Sequence, residues 1–138
     1  MTKYEHKTQY YETDQMGCIH HSNYIRWFEE ARINMLDELG FGYADMEQMG
    51  MISPVLGLSC EYKKITRFGE TVEISTKVTR FTGVKFTLSY EITEKKSGEL
   101  RCTGETRHCF LDNNGMPVRI KTQYPALYEA LFGELDAG

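Results

Sequence analysis

The chain has 138 residues, enough for one domain with a real core and too few for two. Hydrophobic residues make up 41% and aromatics 12%, which excludes wholesale disorder, and a net charge of −4 argues against a general nucleic-acid binder, which normally carries a basic face. Residues 1–10 lack the apolar segment of a secretion signal, and no run approaches the roughly 20 apolar residues that span a bilayer, so the expected setting is cytoplasmic with no membrane partner.

Residues 4–11 read as a first strand. Asp14-Gln15-Met16-Gly17 then has Asp and Gly at the first and fourth positions of a type I turn. From Ser22 to Gly40, Tyr24, Phe28, Ala31, Met35 and Leu39 recur at helical spacing. Ile25, Trp27, Ile33 and Leu36 widen that stripe, which predicts one long, mostly enclosed helix. Ser22 or Asn23 suits its N-cap and Gly40 its C′ position.

Strands follow. Leu56, Leu58, Cys60 and Tyr62 alternate with polar or small residues, as do Val72, Ile74, Thr76 and Val78, and then Phe86, Leu88, Tyr90 and Ile92. Thr82-Gly83 and Ser97-Gly98 supply hairpin turns, so the last three strands form an antiparallel meander. The third of these covers about residues 100–111 and stops at Asp112-Asn113-Asn114-Gly115. Pro125 opens a terminal helix over residues 124–135. One enclosed helix followed by an antiparallel sheet is an α+β plan in which the sheet must curl around the helix to bury both apolar faces.

Candidate chemistry is concentrated in residues 10–32, YYETDQMGCIHHSNYIRWFEEAR. A turn accounts for Asp14 structurally. A functional account is also open, because the loop leads into a helix N-terminus, where free N–H groups and the dipole favour negative charge. A carboxylate beside such donors is the minimum for attack on a carbonyl. His20 and His21 are adjacent and point apart, His6 and His108 are isolated, and no ligand spacing completes a metal set, so no metal is expected. Cys18, Cys60, Cys102 and Cys109 lack the CxxC spacing of zinc or redox sites and read as reduced structural thiols. Glu29 and Glu30 fit ordinary helical pairing with Arg26 and Arg32. Two cationic groups stand out, Lys63, Lys64 and Arg67 in one, and Arg80 with Lys85 flanking a hairpin in the other. Solvated strand edges explain both without function.

The spacing of Tyr10, Asp14, Gly17, His21, Asn23, Tyr24, Phe28, Glu30, Ala31 and Arg32 resembles that of the hotdog-fold acyl-CoA thioesterases similar to 4-hydroxybenzoyl-CoA thioesterase. A second match, EYKKITRFGETVEI from Glu61, resembles the family's Glu-Tyr-x-x-Pro-x-Arg-x-x-Asp run. Ile65 stands there in place of Pro and Gly69 in place of the acid, departures that bear on the bend between two strands. The resemblance implies a single hotdog thioesterase domain over residues 1–138, with one long central helix, residues 23–39, wrapped by a curved antiparallel sheet of about five strands. It implies hydrolysis of an acyl-CoA or an acyl carrier protein thioester, with no cofactor, in a homodimer or homotetramer whose sites lie between subunits. Asp14 would be nucleophile or general base, the His21 backbone N–H would polarise the carbonyl, and Tyr10 would orient Asp14. Arg80 and Lys85 are the expected contacts to the CoA nucleotide. The alternative is a non-catalytic acyl-CoA-binding hotdog protein, and fold analogy also leaves open an acyl transferase or dehydratase.

Overall fold

The computed structural model describes residues 2–137. Strand β1 (Thr2–Lys7) gives way to a 3-10 turn at Tyr10–Glu12, then to helix α1 (Ser22–Glu38) and the short α2 (Tyr43–Gln48). Strands β2 (Met51–Ile52), β3 (Val55–Tyr62), β4 (Thr71–Phe81), β5 (Lys85–Glu94), β6 (Leu100–Cys109) and β7 (Leu111–Asp112) follow, before α3 (Ile120–Gln123) and α4 (Pro125–Ala137). The main sheet has five strands in the order β1-β4-β5-β6-β3, every neighbouring pair antiparallel, while β2 and β7 form a separate ribbon.

Period-2 alternation produces the sheet's core face. Val72, Ile74, Thr76 and Val78 of β4 are buried, as are Phe86, Leu88, Tyr90 and Ile92 of β5. Helix α1 lays Tyr24, Trp27, Phe28, Ala31 and Met35 into the same core, and the Phe28 ring stacks on Tyr90 with centroids 4.4 Å apart. Burial of each large side chain contributes about 1.5–3 kcal/mol. The helix ends as its sequence demands. Gly40 adopts φ 88°, the Phe41 N–H reaches the Leu36 carbonyl (2.8 Å) and the Gly40 N–H that of Asp37 (3.0 Å), a Schellman cap. Helix α4 buries Leu127 and Leu131 and packs on β4.

Two expectations change, and a third is met in part: α1 covers the helix expected over residues 23–39 with 17 residues, beside three further helical segments, of which α4 has 13. The first strand stops at Lys7, because the Glu12 side chain accepts the Gln9 N–H (2.7 Å) and draws the chain into the 3-10 turn. Strand β3 has the alternation of a buried strand but lies at the sheet's edge, where Leu56 stays 50% and Leu58 46% exposed.

Candidate active site

The loop that carries Asp14 is a small hairpin. Thr13 pairs with Ile19, the His20 N–H donates to the Glu12 carbonyl (2.8 Å), and the Asp14 N–H to that of Cys18 (2.7 Å). Asp14 is exposed at its turn, and its Oδ1 accepts the N–H groups of Met16 (2.8 Å) and Cys18 (3.2 Å). Gly17 takes φ 76°, which closes the turn onto the Asp14 carbonyl. Among the described residues, no hydrogen bond engages its Oδ2.

Among the described residues this same turn occurs twice. At residues 112–116, Asp112 Oδ1 accepts the N–H groups of Asn114 (2.8 Å) and Met116 (2.9 Å), and the Gly115 N–H donates to the Asp112 carbonyl (3.0 Å). The turn is therefore a local property of Asp-x-x-Gly, and Asp14 fulfils it whether or not it does chemistry. What sets Asp14 apart is its position, since only its hairpin runs directly into the N-terminus of α1.

That helix begins at Ser22 with His21 as its N-cap residue. The Ser22 N–H is taken by His20 Nδ1 (3.2 Å) and the Asn23 N–H by the His20 carbonyl (3.0 Å), so His20 rather than Ser22 or Asn23 supplies the cap. The imidazoles of His20 and His21 stack 4.2 Å apart in the open. The Tyr62 hydroxyl, from the edge strand β3, donates to the His21 carbonyl (3.2 Å) and so ties the helix entry to the sheet.

A buried carboxylate holds the base of the loop. Glu12 is 5% exposed and accepts from the indole Nε1–H of Trp27 (2.8 Å), the Gln9 N–H and His6 Nε2 (2.9 Å). Burial pushes its pKa up, but the hydrogen bonds from His6, Gln9 and Trp27 outweigh burial and hold it below the usual carboxylate value. Nothing in the sequence singled out Glu12, because its three donors come from positions 6, 9 and 27 and meet only in the fold. The Asn23 amide also donates to the Glu12 carbonyl (2.9 Å). On the far side of the hairpin the Ile19 N–H donates to the Thr66 carbonyl (2.8 Å), Cys18 pairs with Arg67, and Arg67 Nη1 lies 3.9 Å from Cys18 Sγ.

Of the residues expected to form the site, Asp14 and His21 occupy the two ends of one hairpin-to-helix segment. Tyr10 is 77% exposed with its ring edge-on to Phe68 (5.8 Å), and among the described residues no hydrogen bond joins it to Asp14. Arg80 and Lys85 are exposed at the β4–β5 turn, the opposite end of β4 from the loop that meets Cys18, and the nine-residue separation from Thr71 to Arg80 is about 30 Å of strand. Among the described residues, Arg67 is a cation beside the turn of Asp14.

A cleft of about 400 Å³ opens farther along α1, bounded by Glu29, Arg32, Ile33 and Leu36 and by Met46 and Met51. His108, next to the Arg32 and Pro54 of its wall, is fully buried, stacked on Phe86 (4.9 Å), with its Nε2 2.6 Å from Thr106 Oγ1. Burial first, and the charge of Arg32 second, push its pKa down to about 4.

This strand order, with a helix packed on the sheet, is that of a hotdog-fold protein. The model of the thioesterase-like superfamily matches residues 8–131. The YneP protein of Bacillus subtilis (strain 168), named provisionally as an acyl-CoA thioesterase, is 34% identical over 131 residues, 94% of each chain. The crystal structure of DHNA-CoA thioesterase from Staphylococcus aureus superposes with a TM-score of 0.90 at 39% identity, over 99% of this chain and 91% of that one. The acyl-CoA thioester hydrolase YbgC of Escherichia coli O157:H7 is 26% identical over 86 residues, 62% of this chain and 64% of its own. The chain belongs to the thioesterase-like superfamily and is a thioester hydrolase. Relatives named as hydrolases do not favour the non-catalytic alternative. No helix among the described residues is long and apolar enough to cross a membrane.

Proposed function

We propose that the protein hydrolyses an acyl-CoA thioester to the free acid and CoA, with Asp14 as general base and the N-terminal turn of α1 at His21 as the oxyanion site. The observation that carries this is the Asp14 carboxylate itself, exposed, oriented by two backbone N–H groups on one oxygen, and placed in the hairpin that feeds the helix N-terminus. Water held by the second oxygen gives its proton to Asp14 as it attacks the carbonyl carbon. The carbonyl oxygen gains charge next to the His21 N–H and the positive end of a 17-residue helix. The C–S bond then breaks, and the thiolate leaves without a strong acid because a simple thiol has a pKa of only about 8.5. A mixed anhydride at Asp14 is the other route through the same carboxylate.

The cleft on α1 suits the acyl group. Ser22, Ile25, Glu29, Arg32 and Leu36 follow at steps of three and four, so one helix face runs from the oxyanion turn into the cleft, reaching Glu29 after about 10 Å. Its floor is apolar, with Leu36, Met46 and Met51 buried, and its rim carries Glu29 and Arg32. In this reading α1 is the helix around which the sheet curves. A second copy pairs along β3, whose open edge exposes Val55, Leu56, Leu58 and Tyr62, and brings a partner's Arg80 and Lys85 turn to the nucleotide. An acyl-CoA substrate and four free thiols accord with a cytoplasmic setting. Thiol release measured over short, long, branched and aromatic acyl-CoAs tests the proposal. Met46→Trp, which fills the cleft, should abolish turnover of the larger acyl groups and spare acetyl-CoA; equal loss on all of them would remove the cleft from the site.

A further inference from the structure

The helical ion pairs that the sequence suggests for Glu29, Glu30, Arg26 and Arg32 do not form among the described residues. Glu30 turns to the Tyr4 hydroxyl (3.3 Å) and to His6 (3.4 Å), and Arg26 donates to Ser22 Oγ (3.3 Å) and Asn23 Oδ1 (3.1 Å). No hydrogen bond or ion pair among the described residues engages the guanidinium of Arg32 or the carboxylate of Glu29. Both line the cleft on α1, but Glu29 is exposed, as is Glu47 of α2, whereas Arg32 is half-buried. The charge of Arg32 bears on two buried groups, the His108 imidazole and the Tyr90 phenol; Glu29 bears on Tyr90 only, and less.

A guanidinium that has lost part of its water and has no counter-ion is a place for an anion, and its planar fork matches a carboxylate in particular. The exposed carboxylates of Glu29 and Glu47 keep their water and are screened, so they oppose such an anion only weakly. The buried floor of Leu36, Met46 and Met51 surrounds the position with apolar side chains, which strengthens an ion pair relative to water. Ser53, on the link between β2 and β3, lines the same cleft, and its hydroxyl has no hydrogen-bond partner among the described residues. From His21 to Arg32 the helix rises about 16 Å, and the long Arg32 side chain leans back toward the N-terminus. That leaves roughly 10 Å, the reach of an acyl chain of about eight carbons.

We propose that Arg32 selects acyl-CoA substrates whose chain ends in a second carboxylate, dicarboxylic acyl-CoAs of medium length, over simple fatty acyl-CoAs of the same length. The selection rests on the function proposed above. The thioester carbonyl sits at the His21 turn, the methylenes run along α1 into the cleft, and the terminal carboxylate meets the Arg32 guanidinium there. Hydrolysis breaks the same C–S bond as for any thioester and releases the dicarboxylate and CoA.

The test compares suberyl-CoA with octanoyl-CoA, which have the same number of acyl carbons and differ only at the far end. Thiol release by the native assembly should show kcat/KM higher for suberyl-CoA by about tenfold, the scale of one charge-assisted hydrogen bond. Arg32→Gln should reverse that preference, because the carboxylate then faces Glu29 and Glu47 without a cation, and Arg32→Lys, which keeps the charge, should retain part of it. Calorimetric binding of the free products reads the same pocket without catalysis: suberate should bind the parent about tenfold tighter than octanoate, and Arg32→Gln should remove the difference. Equal or higher kcat/KM for octanoyl-CoA in the parent would overturn the proposal, as would a suberyl preference that survives in Arg32→Gln. If neither thioester is hydrolysed, the thioesterase reading fails and calorimetry decides the pocket alone. Arg32-dependent binding of suberate would then uphold the selection, and equal binding of the two acids would overturn it.

Discussion

Glu12 is the residue on which the Asp14 hairpin hangs, and its removal has a calculable cost. The carboxylate is 5% exposed and takes the Trp27 indole (2.8 Å), the Gln9 N–H (2.7 Å) and His6 (2.9 Å). A hydrogen bond to a charged acceptor contributes about 1.5–3 kcal/mol, and three donors sharing one group fall short of additivity, so Glu12→Ala should cost about 4 kcal/mol. That is a large share of the roughly 5–15 kcal/mol available to a domain and, at about 3 °C per kcal/mol, lowers Tm by about 12 °C. Glu12→Gln keeps the shape but turns an amide N–H toward a donor, for about 2 kcal/mol. Because the folded carboxyl titrates below its unfolded value, its stabilisation is present above the ordinary carboxylate range and is lost as pH falls through the lower folded value; the deficit of Glu12→Gln against the parent should therefore shrink in acid. Thermal melts followed by the fluorescence of Trp27, the one tryptophan, report both effects. A loss under about 1 kcal/mol for Glu12→Ala at pH 7 would refute the idea that this carboxylate anchors the loop.

Other consequences follow from the same contacts. His108 is pushed down to about 4 from 6.5, so the folded state resists protonation and loses stability, on the order of 3 kcal/mol, as pH falls from 6.5 toward 4; His108→Gln should flatten that limb of a Tm-against-pH curve. Arg101, 6% exposed, makes a bidentate pair with Glu70 (2.9 and 3.0 Å) and donates to the Ile65 carbonyl (2.9 Å), so Arg101→Met should cost about 2–3 kcal/mol in urea unfolding, less than a fully buried pair because Glu70 is partly solvated. Changing Arg80 and Lys85 together to Ala should raise KM for an acyl-CoA and leave KM for a thioester lacking the nucleotide unchanged; equal effects would separate these residues from nucleotide binding.

Local chemistry was legible in the sequence wherever it is short-ranged. The hairpin glycines, the Gly40 cap, the proline opening α4 and the Asp-x-x-Gly turn each depend on a few neighbouring residues, and each lies where its pattern predicted. The alternation of β4 and β5 likewise gave the core face, because both strands have neighbours on each side. Strand β3 shows the same alternation, but its place at the edge is a property of strand order, which periodicity does not encode. Helix α2 escaped notice because six residues give too short a period to detect. Asp14 and His21 were legible as a motif. The contacts of His6 and Trp27 with Glu12, the tie from Tyr62 to His21 and the contact of Cys60 with Cys102 join residues 6 to 42 positions apart, and only the fold brings them together.

The repeated turn provides the most direct test of the role of Asp14. Asn is as well suited as Asp to the first position of such a turn, so Asp14→Asn and Asp112→Asn make the same chemical change in the same local structure. Steady-state thiol release from an acyl-CoA, measured on both variants beside the parent and with their melting temperatures checked, separates turn from catalyst. If Asp14 is the general base, Asp14→Asn loses at least about two orders of magnitude in kcat while Asp112→Asn stays within about threefold of the parent. Asp14→Asn turning over within about threefold of the parent would contradict the assignment and leave Asp14 a turn residue alone.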